Sequence, residues 1–251
     1  MCLRKGVTVE HILSCAKGGF PSIRHNEIRD VSTQLMSEVC YNVSIEPDLQ
    51  PITGEPSSGA ASAITTDGAR LDITANGFWG SRFEKTYFDV QVFNPYAPSN
   101  RMSSLSATYR KHENIKKRAY EQRVREVEHS SFTPIVLSLT GGLGNAAFTC
   151  YKRLASLLSV ASIPSPPTVN TRPTIQGAGV EAILSVKRDQ HYNTTMSWLR
   201  CWLPFSLLRS SIVCIRGARS SRGHLLNWTC CHGPSSPRIK SAHSHLCTLN
   251  F

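Results

Sequence analysis

The sequence predicts an α/β fold, a mixed sheet flanked by helices with a helical and irregular C-terminal extension. Three observations carry this. Apolar residues recur at spacings of three and four over 25–40, 105–128 and 146–158, as one face of a helix requires. Short β-branched and aromatic runs lie between those segments, the clearest at 86–93. A chain of 251 residues with 40% hydrophobic and 18% charged residues can also bury a core.

The elements follow in the order helix, strand, strand, strand, helix, strand, helix. Ile28, Val31, Leu35 and Val39 mark the first helix. Residues 43–45 form a short strand, and 51–68, rich in Pro, Gly, Ser and Thr, form a loop. A second strand is expected over 70–74 and a turn over 77–81. In the third strand Phe88, Val90 and Val92 share one side. Two prolines at 95 and 98 end it. In the helix over 105–128, Tyr109, Ala119, Tyr120, Val124 and Val127 make an apolar stripe, and Lys and Arg cover the rest. Residues 134–139 read as a buried strand, 140–144 as a turn, and 146–158 as an amphipathic helix. Beyond them, 160–186 lacks periodicity and reads as a linker or insertion. A basic helical segment occupies 187–223 and an irregular tail 224–251.

The net charge of +11 and pI of about 9.4 point to a polyanionic partner. Nine cysteines, an odd number, without an apolar leader at the N-terminus argue for an intracellular chain, nuclear or cytoplasmic, rather than a secreted one. The sequons at Asn42, Asn193 and Asn227 are then chance. Residues 198–215 are membrane-like in hydropathy, but Arg200, Pro204 and Arg209 interrupt them, so a buried or interfacial helix pair is expected and no membrane partner.

Chemistry concentrates on two acids. Asp72 lies in the second strand and Asp89 in the third. Gln91 shares the face of Asp89, because strand side chains repeat every two residues. An Asp inside so apolar a strand is costly unless paired or metal-bound. The alternative is an Asp89 facing solvent on an edge strand and an Asp72 capping a turn.

The segments Arg70-Leu71-Asp72, Phe88-Asp89-Val90-Gln91-Val92 and Lys117-Arg118-Ala119-Tyr120 resemble the motif series of PD-(D/E)XK nucleases. They are most similar to the restriction-like endonuclease region at the C-terminal end of non-LTR-type retroelement polyproteins. The resemblance covers most of residues 10–160 and resumes over about 187–223. It implies a restriction-endonuclease-like αβββαβ core over 25–159. It implies that Asp72 and Asp89 bind Mg²⁺ or Mn²⁺. It also implies that Lys117, with Tyr120 one turn along, serves where the strand lysine is absent, and that Glu27 is an acidic helper. Leu71 stands where the family has Pro, and Gln91 where it has Lys. A neutral Gln cannot stabilise developing charge as Lys does.

Residues 1–24 read as a degenerate zinc knuckle. Cys2, His11 and Cys15 are candidate ligands with His25 as a fourth, but Arg4 stands where a second Cys is expected, which argues against Zn²⁺. The turn at 140–144 has the placement of a phosphate loop but lacks its Lys-Ser/Thr, so a tight connection is the plainer reading. Arg110, Lys116 and Arg123 on the charged helix, and Arg209, Arg216 and Arg219 further on, are candidate contacts to a DNA backbone, with RNA of the parent element a second partner. Acids interleave with the first cluster and are absent from the second. Three functions follow: a Mg²⁺-dependent DNA endonuclease, a catalytically dead nucleic-acid-binding descendant, or a decayed transposon product without a selected role.

Overall fold

The computed structural model describes residues 20–50, 69–162 and 176–219. Helix α1 spans Phe20–Ser37 and strand β1 Tyr41–Ile45. Strands β2 (Ile73–Asn76) and β3 (Lys85–Phe93) precede helix α2 (Leu105–Glu126). Strand β4 (Ser131–Ser138), helix α3 (Asn145–Ala161) and helix α4 (Gln176–Arg219) follow. The α/β class and the element order match the sequence expectation as far as α3.

The sheet runs β1-β2-β3-β4. β1/β2 and β2/β3 are antiparallel, and β3/β4 is parallel in the register Asp89–Pro134. The parallel step needs a crossover, and α2 supplies it. Pro134 has no N–H to give a ladder, which β4 tolerates as an edge strand.

Alternation divides the sheet's two faces. Ile73, Ala75, Phe88, Val90, Ile135 and Leu137 pack with residues of α1, α3 and α4 in the main core. Beneath α2, Tyr87 packs with Val124, and Phe93 with Tyr109 and Val136. Tyr87, Asp89, Gln91 and Phe93 therefore lie on the α2 side of β3. Tyr151 on α3 is fully buried, and its hydroxyl meets the Ser32 hydroxyl at 2.8 Å, so this deep phenol is satisfied.

Element limits depart from the sequence reading in three informative places. α1 starts at Phe20, with Pro21 just inside its first turn, where a missing N–H costs nothing. β2 begins at Ile73, so Asp72 stands at its entrance: Leu71 turns into a separate cluster with Tyr87, and the chain bends between the two. α4 is one continuous helix from Gln176, covering part of the segment expected as a linker and replacing the expected helix pair over 198–215. Pro204 removes one intrahelical bond. Leu199, Leu203 and Leu207 are buried on either side of it and hold the helix through. No helix among the described residues is long and apolar enough to cross a membrane.

The glycine turn before α3 is built by packing. Gly141 has φ +87°, and a Cβ there would strike Pro204. A Cβ at Gly144 would strike the Glu113 carboxylate, which accepts the Ala146 N–H at 2.9 Å. The N-terminus of α3 is thus already occupied by an acid from α2, which closes the phosphate-loop reading.

Candidate active site

β3 extends past the end of β2, so the Val90 N–H lacks a strand partner there. Asp72 supplies it. The Asp72 backbone N–H donates to the Phe88 carbonyl at 3.1 Å and its own carbonyl accepts from Glu46. Its Oδ2 accepts the Val90 N–H at 2.6 Å. Its Oδ1 lies 2.9 Å from His25 Nε2 on α1. Asp72 is thereby fixed beside the strand segment that carries Asp89.

Asp89 is buried, with its side chain 6% exposed. Lys116 Nζ, from α2, stands 2.7 Å from Asp89 Oδ2. Oδ2 accepts no other hydrogen bond. Tyr120, one turn along α2, presents its ring 5.8 Å from the Lys116 ammonium.

These charges act on one another. Burial, reinforced by Asp72 and opposed by Lys116 and His25, pushes the Asp89 carboxyl up to about 6. Burial also works to raise Asp72, but the hydrogen bond and charge of His25, the Val90 N–H and Lys116 prevail and hold it below the usual carboxylate range. The bond to Asp72 raises His25 against burial. For Lys116, burial is outweighed by Asp89 and the other anionic neighbours, and the amine is held above its ordinary value. Two neighbouring carboxyls whose affinities for protons are driven apart are a pattern of acid–base and metal sites.

Other expected residues lie elsewhere. Lys117 is exposed on the outer side of α2, because a one-residue step turns it about 100° from Lys116. Glu27 is turned toward α4, where Arg209 lies 3.3 Å away. Gln91 shares the α2 face with Asp89, as alternation requires, and its Nε2 meets His112 Nδ1 at 2.9 Å. Arg123 is buried and donates to the Gln50 carbonyl at 2.8 Å, so it holds the fold instead of facing a ligand. Arg110 and Arg209 are exposed. Arg216 and Arg219 end α4, with side chains outside the described residues, as are Cys2, His11 and Cys15.

Sequence reasoning assigned His25 to zinc and Lys116 to phosphate contact, and passed over His112. A spacing signal for Lys116 existed: Tyr109, Glu113, Lys116, Tyr120 and Val124 succeed one another at four, three, four and four residues. That is the inward stripe of α2, with two charges where apolar residues were sought.

Among the described residues, no group of three or more His, Cys, Asp or Glu side chains is placed to hold a metal ion. Mg²⁺ is commonly held by one or two carboxylates with water and phosphate completing the shell, and Asp72 and Asp89 are two carboxylates, although His25 and the Val90 N–H hold the oxygens of Asp72 and Lys116 pairs with Asp89. A surface depression of about 610 Å³, lined by Glu84, Glu121, Arg125 and His129, lies at the other end of α2 and includes none of these residues. No protein-family model and no curated protein matches the chain.

Proposed function

We propose that residues 25–159 form a restriction-endonuclease-like core, of retroelement descent, that hydrolyses DNA phosphodiester bonds with Mg²⁺. The observation that supports this most is the pairing of buried Asp89, in the middle of β3, with Lys116, beside an Asp72 that is fixed at the entrance of β2 by the Val90 N–H. Asp72 and Asp89 would hold the cation, which when bound supplies Lewis-acid stabilisation of phosphoryl charge. Lys116 takes the role that a lysine at position 91 would fill. Its ammonium reaches the same carboxylate from the helix, and a fixed positive charge in a partly dry site stabilises charge developing on a phosphate. His25 positions Asp72 and keeps it ionised. Exposed Arg110, Lys111, Lys117 and Arg118 lie on the outer faces of α2, where they can neutralise backbone phosphates.

Supercoiled plasmid incubated with Mg²⁺ or Mn²⁺ tests this. Nicking is expected for the wild type, with loss of 100-fold or more for Asp89→Asn and Asp72→Asn, about 100-fold for Lys116→Ala and little change for Lys117→Ala. Equal cleavage by Asp89→Asn would remove the enzyme reading.

One observation favours a second reading, a nucleic-acid-binding protein without cleavage. Both Asp72 oxygens are already held by His25 and Val90, and Gln91 is engaged with His112. DNA retention that weakens steeply with salt, without nicking in either metal, selects that reading.

A further inference from the structure

We infer that the solvent face of α4 is an antiparallel interface with a second copy of this chain. One face of α4 carries Met196, Leu199, Leu203 and Leu207, all buried in the core. The opposite face is apolar too. Trp198 is 43% exposed, Phe205 54%, Leu208 59% and Ile212 41%. A helix with apolar residues on both faces belongs between two layers, and one chain provides only one.

The stripe is also self-complementary. Its members stand at Phe205, three residues either side (Trp202 and Leu208) and seven residues either side (Trp198 and Ile212). Those offsets keep all five near one helical direction. A twofold axis at Phe205 would set Trp202 against the partner's Leu208 and Trp198 against the partner's Ile212. Aromatic rings then face aliphatic chains, and the two Phe205 rings meet on the axis. Trp198 and Trp202 are already stacked with centroids 5.5 Å apart, and Trp202 and Phe205 touch as tilted rings at 5.8 Å, so part of the side-chain freedom is already lost. Between 190 and 213 the helix carries Arg200 and Arg209 and no acid, and Arg209, which lies within the stripe, is paired with Glu27. About this axis Arg209 would face the partner's Cys201 and Arg200 the partner's Ser210, so no two arginines are directly opposed. With roughly 150–250 Å² for each large side chain, the stripe and Val213 leave about 500 Å² open per copy. A pair would cover about 1,000 Å², where specific if modest interfaces begin.

Sedimentation of the full chain tests this. The mass should rise from 27.7 kDa toward twice that value as concentration rises from about 1 to about 100 µM. Phe205→Glu sets two carboxylates on the axis and should hold the chain monomeric with an unchanged far-UV spectrum; Leu208→Glu, off the axis, should do the same and guards against a folding defect in the first. Under mild oxidation Phe205→Cys should cross-link to its twin well above the wild-type background, and Ile212→Cys should not. A wild type that stays monomeric throughout, with residues 220–251 or an anionic vesicle covering the tryptophans instead, overturns the inference. So does a dimer indifferent to both Glu substitutions, or one cross-linked by Ile212→Cys and not by Phe205→Cys. None of these readings depends on cleavage of DNA.

Discussion

Lys116 and Asp89 form an ion pair of 2.7 Å between the inward side of α2 and the middle of β3. Each explains the other's placement. A buried carboxylate needs a cation, and a lysine on the sheet side of a helix needs an anion. Such a pair adds little net stability over an apolar isostere, but removing one partner leaves a stranded charge.

Lys116→Met should therefore lower the unfolding free energy by about 3 kcal/mol at pH 8, and the double variant with Asp89→Asn by clearly less. Urea denaturation of the four proteins gives the coupling. Additive effects would show that the two side chains do not interact in solution.

Stability should fall as pH rises through this site. Folded Asp89, raised to about 6, binds its proton more tightly than the unfolded chain does at about 4, so stability drops between those values. His25, also raised, contributes stability that is complete below about pH 6.5 and is lost as pH climbs through its folded value. Asp72 is lowered and acts in reverse: its contribution is present above about pH 4 and is lost on further acidification. Urea midpoints from pH 4 to 8 should decline, and Asp89→Asn should flatten the lower half of that decline. An unaltered slope in that variant would place the titration elsewhere.

Gly144→Ala should destabilise by about 1–3 kcal/mol, since the new Cβ displaces the Glu113 carboxylate and leaves the first turn of α3 uncapped. Adding Glu113→Gln should cost much less in that background than in the wild type. Thermal melts of the single and double variants decide this.

Tyr151→Phe removes one buried hydroxyl contact while Ser32 keeps its bond to the Ile28 carbonyl at 2.7 Å. The expected loss is about 1 kcal/mol. A loss of several kcal/mol would mean that the phenol supports more of the core than Ser32.

Period alone located α1, α2, α3 and the apolar side of β3, because each buries one regular face. Three features escaped it. Asp72 could not be placed at a strand entrance, since the bend there is set by Leu71 reaching a cluster that includes Leu49 and Val124, contacts distant in sequence. On α2 the apolar stripe identifies Tyr109, Tyr120 and Val124, but not the inward Glu113, Lys116 and Arg123, because burial of charge is paid for by partners on other elements. The helix pair expected over 198–215 is instead continuous in α4, because the cost of Pro204 is offset by tertiary packing of the leucines around it. In the site, strand alternation identified the shared face of Asp89 and Gln91. The partners His25, His112 and Lys116 come from helices whose rotation over the sheet no local pattern specifies.

The central claim is that Asp72 and Asp89 make one anionic site for a divalent cation, and that the Lys116 ammonium paired with Asp89 weakens the cation's binding there. Calorimetric titration of the folded chain with Mn²⁺ tests it most directly. One binding event is expected, lost in both Asp72→Asn and Asp89→Asn and several-fold tighter in Lys116→Met, where the competing ammonium is gone. Binding that survives either Asp substitution, or no binding even in Lys116→Met, would contradict it.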